Sequence, residues 1–115
     1  MALIRTSGQV TDLTKSLAPN NFLDYLGNDH AMPFTQTAAA WGGGMINCKG
    51  YNTFTYTATG SSDVGVIAIK PNGEIDTLRP ITGASGSASV TITGYEILCV
   101  LFGASGGMNH TFSLS

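Results

Sequence analysis

The side chains able to do acid–base chemistry are few in this 115-residue chain. Its two histidines are His30, in a polar run, and His110, which alternates with Phe112. A histidine can act as a general base, or join a serine and an acid in a catalytic triad. No nucleophile-elbow spacing accompanies either histidine. The pattern favours a loop position for His30 and a satisfied histidine at a strand edge or interface for His110. A small hydrolase using His110 and an acid is the alternative.

Two carboxylates, Glu74 and Asp76, are two residues apart and so share one face of a predicted strand. Paired acids can hydrolyse a glycosidic bond. Acids on an exposed edge strand also prevent unwanted strand pairing, and this second interpretation is favoured. The glycine-rich runs 42–44 and 103–107 neither open a helix nor end in the Lys-Ser/Thr of a phosphate-binding loop. We therefore predict turns there, no cofactor, and no catalytic activity.

The two cysteines, Cys48 and Cys99, lack the close spacing of zinc ligands. Each lies in a strand-like run, so one disulfide between facing strands is possible. The opening residues contain no apolar core of signal-peptide length, which favours a reducing compartment. Two buried free thiols are therefore the favoured interpretation.

Charged residues make up only 10% of the chain, whereas an ordinary globular protein has about 25%. The net charge is −2 and the bases are scattered, so no basic stripe is available for nucleic acid. No apolar stretch approaches the roughly 18 residues of a membrane helix. A surface so poor in charge must be covered by neutral polar side chains, by a partner, or by both.

From about residue 44 onward, strand patterns alternate with turn signals. The run 51–59 places Phe54, Tyr56 and Ala58 on one face and threonines on the other. The turn signal Pro71-Asn72-Gly73 separates two further strands. Strands at intervals of about ten residues predict an all-β fold, a jelly-roll-like antiparallel sandwich of about seven or eight strands over residues 44–115.

Residues 1–43 lack this regular pattern and are predicted to form an irregular N-terminal arm. A short helix is expected near 20–26, with asparagine as its cap and Gly27 as its stop. Phe22, Leu23 and Leu26 would form the apolar face of that helix. We expect the arm to pack on its own sandwich or on a neighbour.

Strands 64–69 and 95–102 are apolar on both faces, although one face of an antiparallel strand usually meets water. A second covered surface is therefore predicted, hidden by the arm or by another subunit. The predicted partner interface consists of apolar residues of the arm and of strand 95–102, namely Leu3, Ile4, Phe22, Leu26, Trp41, Leu98, Val100 and Phe102.

Three aromatic residues, Trp41, Tyr51 and Tyr56, suggest a second kind of site. Aromatic rings form stacking platforms for sugars in many carbohydrate-binding sandwiches. Trp41, flanked by alanines and glycines, is alternatively a plug where the arm docks.

Three features of the sequence are similar to those of a known group of proteins. They are the start of the arm, Met1–Thr6, the Gly/Ser/Thr-rich strands, and the hydroxyl-lined segment 51–59. The chain resembles small structural proteins of tailed-bacteriophage virions, such as capsid decoration (cement) proteins and head or tail attachment proteins. The resemblance implies a trimer or dimer bound to the major capsid protein or another virion protein, in a virion assembled in the host cytoplasm. It implies no catalytic or cofactor residues, and no small-molecule ligand, nucleic acid or membrane is expected. The alternative is a carbohydrate-binding or receptor-binding module of a phage tail or fibre.

Overall fold

The computed structural model describes residues 17–38, 41–59, 62–78, 86–104 and 108–115. These ranges form strands and turns and contain no helix, which confirms the all-β prediction. A membrane-crossing helix is accordingly not found among them. The strands are β1 (Asn21–Asp24), β2 (Asp29–Ala31), β3 (Phe34–Ala38), β4 (Trp41–Asn47), β5 (Thr53–Ala58), β6 (Ser62–Ile69), β7 (Ile75–Leu78), β8 (Gly86–Thr91), β9 (Ile97–Ala104) and β10 (Met108–Leu114).

The strands form two antiparallel sheets, one of six strands in the order β2-β1-β4-β9-β6-β7 and one of four in the order β3-β10-β5-β8. Their pairing is nested. β6 pairs with β7, β5 with β8, β4 with β9, and β3 with β10. The chain from β3 to β10 therefore forms one long hairpin. This hairpin is folded so that its successive strand pairs lie alternately in the four-stranded and the six-stranded sheet. β1 and β2 add a second hairpin beside β4.

The tip of the long hairpin is the predicted turn at Pro71–Gly73. Gly73 has a φ of 90°, a left-handed conformation that glycine adopts without strain. Its N–H donates to the Lys70 carbonyl at 2.9 Å, and the Asn72 side chain accepts from the Glu74 N–H at 3.0 Å. These bonds close the turn and start β7, the predicted edge strand.

Both sheets contribute side chains to one core. The six-stranded sheet supplies Phe22 and Phe102, and the four-stranded sheet supplies Phe54, Tyr56 and Phe112. The rings of Phe22 and Phe112 stack with centroids 4.9 Å apart. Phe54, Tyr56 and Ala58 are buried as their alternation predicts. Truncating one such aromatic side chain to alanine costs about 3–5 kcal/mol, so these rings dominate the stability.

The helix predicted near 20–26 is wrong, because residues Asn21–Asp24 form β1. Phe22 pairs with Ile46 and is fully buried in the core. Leu23 lies on the opposite face of the sheet, and Leu26 is 71% exposed. The three apolar residues therefore do not share one face, as a helix would require, and tertiary pairing decides the conformation.

Local hydrogen bonds also favour the turn after β1 over a helix. The Asp24 carboxylate accepts from the backbone N–H groups of Leu26 and Asn28, each at 2.9 Å. Gly27 takes a φ of 89° in this turn. A side-chain acceptor of this kind competes with helix formation.

The predicted arm is only partly covered by the described residues. Residues 17–38 contain β1, β2 and β3, and β3 belongs to the four-stranded sheet. β4 begins at Trp41 and continues through residue 43, the predicted end of the arm. The glycine run 42–44 therefore lies within a strand, and the turn predicted there is wrong. Residues 1–16, with Leu3 and Ile4 of the predicted interface, lie outside the described residues.

Candidate functional site

β9 lies in the middle of the six-stranded sheet, between β4 and β6. Leu98, Val100 and Phe102 are at most 2% exposed and point into the core. Their predicted place on a partner interface is therefore corrected. The same holds for Phe22, which is fully buried. Because β9 is apolar on both faces, its alternation could not show which face is inside.

The opposite face of this sheet carries its own apolar residues, which confirms the two-sided apolar pattern. Leu23 pairs with Met45, Met45 with Cys99, and Cys99 with Ile67. We call these four residues, one from each of β1, β4, β9 and β6, the apolar row. All are partly buried hydrophobic residues of a second cluster outside the main core.

One end of this outer face is covered by the described chain itself. Leu17 is 4% exposed and packs in a cluster with Ile69 and Ile97. The Asn47 amide donates to the Leu17 carbonyl at 2.6 Å and holds the backbone there. The chain therefore covers part of the predicted second surface with a residue from the predicted arm.

The other end of the outer face is an open groove of about 310 Å³. Leu23, Met45, Cys99 and Leu101 supply apolar walls, and Gly43 contributes backbone only. A Cβ atom at residue 43 would overlap the carbonyl oxygen of Val100, so the close approach of β4 and β9 requires glycine there. Leu101 is 59% exposed beside the groove. Exposed apolar surface of this kind is typical of an interaction site.

The turn after β1 borders the groove through Tyr25, which is 57% exposed. Leu26, a predicted interface residue, lies next to it in the same turn and is also exposed. These two residues extend the exposed apolar surface beyond the groove. The sequence pattern failed to single out Tyr25, Met45 and Leu101, because only the strand pairing brings them together.

A histidine–carboxylate pair closes the hairpin of β1 and β2. The His30 Nε2 lies 2.8 Å from the Asp24 Oδ2, and the His30 ring stacks on Phe34 with centroids 3.9 Å apart. The hydrogen bond from His30, followed by that from the Asn28 N–H, lowers the pKa of Asp24. His30 was predicted in a loop, but it lies in β2. The pair was missed because its members meet only across the hairpin.

His110 is fully buried in β10, inside the four-stranded sheet, and not at the predicted edge or interface. Its ring stacks on Phe102 with centroids 4.0 Å apart. Such a histidine is out of reach of a substrate. Among the described residues, no three His, Cys, Asp or Glu side chains are grouped as metal ligands would be.

Glu74 and Asp76 lie at the β7 edge of the six-stranded sheet. The Lys70 Nζ is 3.5 Å from the Glu74 carboxylate and 3.9 Å from that of Asp76. The Tyr95 hydroxyl donates to Asp76 at 2.5 Å, and this hydrogen bond raises the pKa of Tyr95. The acids thus belong to an exposed charge cluster on an edge strand, the position expected for acids that deter pairing.

Both cysteines have free thiols, as predicted, but only Cys48 is buried as the prediction required. Cys48 is fully buried in the core, and burial raises its pKa to about 12. Cys99 is only partly buried, since it lies in the apolar row on the outer face. The sheet separates the two sulfur atoms, so no disulfide can join them without rearrangement.

The three aromatic residues of the predicted sugar platform are not brought together. Tyr56 is fully buried, with its ring 5.6 Å from that of Phe112. Tyr51 packs half-buried against the core beyond one end of β4. Trp41 begins β4 at the other end, roughly 20 Å of strand away, and its side chain lies outside the described part.

The outer face of the four-stranded sheet is lined by Thr and Ser side chains. The hydroxyls of Thr35 and Thr111 lie 2.9 Å apart. Those of Thr55 and Ser89 are separated by the same distance, and Thr57 donates to Ser87 at 3.2 Å. The strands of this sheet contain no Asp, Glu, Lys or Arg. We call this surface the hydroxyl face.

No protein-family model matches the chain, and no curated protein matches it. Solved structures to which the chain shows some similarity include the SPBc2 prophage-derived protein YomS, with 16% identity and a TM-score of 0.47, covering 71% of this chain and 90% of that one. A tailspike protein 4 domain of bacteriophage CBA120 has 14% identity and a TM-score of 0.37 over 71% of this chain and 15% of that one. The module CsCBM6-3 from Clostridium stercorarium, solved with cellobiose, has 17% identity and a TM-score of 0.38 over 85% and 83%. Structural similarities this weak do not indicate a function.

Proposed function

We propose that this chain is a non-catalytic assembly module with jelly-roll topology, and that it docks on a partner protein through the groove on the outer face of the six-stranded sheet. The exposed apolar surface around Leu101 and Tyr25 is the observation that carries this proposal. The nested strand pairing is the support for the jelly-roll topology.

The shape of the groove favours a protein partner. Among the described residues of its lining, Asp24 is the one that is charged and the others are mostly apolar, so a protruding apolar side chain of a partner can enter and lose its contact with water. Fully burying an exposed leucine contributes about 1.5–3 kcal/mol, so covering Leu101, which is 59% exposed, contributes about 1–2 kcal/mol. The surrounding turn at Tyr25 and Leu26 would lie within the same interface.

The specific form of the proposal is a virion structural protein of the capsid decoration kind, which self-associates and binds the major capsid protein or another virion protein. The resemblance in the arm and in the hydroxyl-lined strands supports it, as does the charged content of only 10%. A domain whose surface is covered by neighbouring proteins needs fewer charged side chains, because less of that surface is in contact with water.

Binding of the chain to virus particles tests this proposal. The particles are purified from a culture that produces this chain. The chain should purify with the particles, and particles stripped of it should rebind the wild type. Leu101→Asp should not rebind, because a carboxylate would enter the apolar groove. Ile75→Asp is the matched control, since Ile75 is 50% exposed but is not among the residues lining the groove. Absence of the chain from the particles, or equal rebinding of Leu101→Asp, would contradict the proposal.

Carbohydrate or receptor binding is the second candidate, and the hydroxyl face is the observation that favours it. Each hydroxyl pair there uses one donor and one acceptor position internally and keeps its other positions for a ligand, and no charge interferes with a neutral sugar. A glycan array with the wild type and Thr55→Val tests it. Binding that is lost in Thr55→Val supports this function, and an array without any bound glycan rejects it.

A further inference from the structure

The four-stranded sheet ends in β3 and in β8, and neither edge strand contains a charged residue or proline. β8, with the sequence GSASVT, has the smaller side chains of the two. An edge strand with open backbone groups is a template for pairing, and proteins usually protect such edges with charge or short length. The edges of the six-stranded sheet are protected in this way. β2 has only three residues and carries Asp29, and β7 carries Asp76 beside Lys70.

The direction of the backbone groups follows from the hydrogen bonds around β5. Thr53 exchanges hydrogen bonds with Ser115 beyond β10, and Ile92 donates to Asn52 beyond β8. Alternate residues of β5 therefore bond to β10 and to β8. In β8, Ala88 and Val90 face β5, so the backbone groups directed to the open side belong to Ser87, Ser89 and Thr91. No described residue pairs with that side.

We propose that β8 pairs antiparallel with β8 of a second copy of this chain, about a two-fold axis at Ser89. In that register Ser87 lies opposite Thr91 of the partner subunit. The sheet already contains this type of contact, because Ser87 and Ser89 bond to threonines of β5. The pairing repeats hydroxyl contacts across the junction and joins two hydroxyl faces into one.

A second copy fits this edge for two reasons. Small side chains at Ser87, Ala88 and Ser89 let two backbones approach without collision. A strand without charge places no like charges opposite each other when it meets its own copy, and two-fold pairing is closed, so it ends at a dimer.

This inference rests on the self-association part of the proposed function and not on the docking groove. The two surfaces belong to different sheets, so they can fail separately. A chain that dimerises but does not bind particles would contradict only the docking proposal, and a monomer that binds particles would contradict this inference and the proposed self-association but not the docking.

Molar mass by light scattering after size exclusion provides the test. The wild type should show twice the chain mass of 11.9 kDa at high concentration and dissociate on dilution. Ser89→Pro should be monomeric, because proline removes an N–H that points to the open side and leaves the β5 ladder intact. Ser89→Ala keeps the backbone donor and should remain dimeric. Thr37→Pro, on the opposite edge strand β3, should also remain dimeric.

Amide hydrogen exchange on the wild type tests the same contact without any substitution. In the dimer, the amides of Ser87, Ser89 and Thr91 should exchange more slowly than in the diluted monomer. Should Ser89→Pro fail to fold, Ser89→Lys replaces it, because a surface lysine opposes pairing without touching the ladder. A wild type that stays monomeric, loss of the dimer in Thr37→Pro alone, or rapid exchange at Ser89 in the dimer would overturn the inference.

Discussion

Gly44 lies in β4 beneath the ring of Phe22, at a point where no side chain fits. A Cβ atom there would lie 2.7 Å from two carbons of that ring and would also overlap the Leu23 carbonyl oxygen. Carbon atoms in ordinary contact are about 3.5–4.0 Å apart, so Gly44→Ala requires a shift of about 1 Å. The Phe22 ring is stacked on Phe112, and the carbonyl belongs to a paired strand, so neither moves freely.

Overpacking of this kind costs about 1–3 kcal/mol, and we expect Gly44→Ala near the upper end of that range. At roughly 4 °C per kcal/mol for a chain of this size, the melting temperature should fall by about 8–12 °C. Gly65→Ala in β6 is the matched control, because a Cβ atom at residue 65 meets nothing within 4 Å. Its melting temperature should stay or rise by a few degrees, since alanine restricts the unfolded chain. Thermal unfolding followed by circular dichroism measures both, and a Gly44→Ala variant that melts with the wild type would refute the steric reasoning.

In the folded chain a thiol reagent should modify Cys99 and leave Cys48 intact, because Cys48 is buried and has a pKa of about 12; both should react in denaturant. Equal rates for the two thiols in the folded state would contradict this prediction. The lowered pKa of Asp24 means that its carboxylate stabilises the fold above its unfolded pKa of about 3.9 and loses that effect as the pH falls through the folded value. Denaturant titrations should therefore show the stability gap between wild type and Asp24→Asn closing in acid, and a constant gap would be evidence against the pair with His30. The raised pKa of Tyr95 means that its neutral phenol stabilises the fold below about pH 10 and that this effect is lost as the pH rises further. A spectroscopic phenol titration of Asp76→Asn should show one tyrosine ionising at lower pH than in the wild type, and superimposable curves would argue against the hydrogen bond.

The strands after residue 44 were predictable because turn chemistry and alternation agree there. Within the run 51–59, residues 53–58 alternate and become β5, and Pro71–Gly73 becomes the turn between β6 and β7. In β5 only one face is apolar, so its inward face could be assigned from the sequence as well. β7 also takes the edge position that Glu74 and Asp76 indicated.

The inward face of β9 could not be assigned in the same way. Leu98 and Cys99 are both apolar, and nothing local distinguishes the core side from the outer side. The choice depends on the register with β4, where Phe22 and Ile46 pair on the core side of the same sheet. Residues that meet only through such pairing, such as Leu23 and Met45, have no periodic signal along the chain.

The short strands β1 to β3 were missed for a related reason. A four-residue strand such as β1 shows too few alternations to be distinguished from one helical turn. The asparagine before Phe22 and the glycine after Leu26 are typical of helix ends, yet they are equally typical of turns. Pairing with β4, which the local sequence does not encode, gives β1 its conformation.

The distribution of charge between the two sheets links the two proposed contacts. Asp29 and Asp76 lie in the edge strands of the six-stranded sheet, whose outer face is apolar, so that sheet is open to a partner through its face and closed to one through its edges. The four-stranded sheet has the opposite properties, with a polar, already hydrogen-bonded face and uncharged edges at β3 and β8. Docking through one sheet and self-pairing through the other therefore use different surfaces and do not compete. The proposed role in a repeating shell requires two compatible contacts, one to the shell and one to a second copy, and the two proposed surfaces meet that requirement because they lie on different sheets.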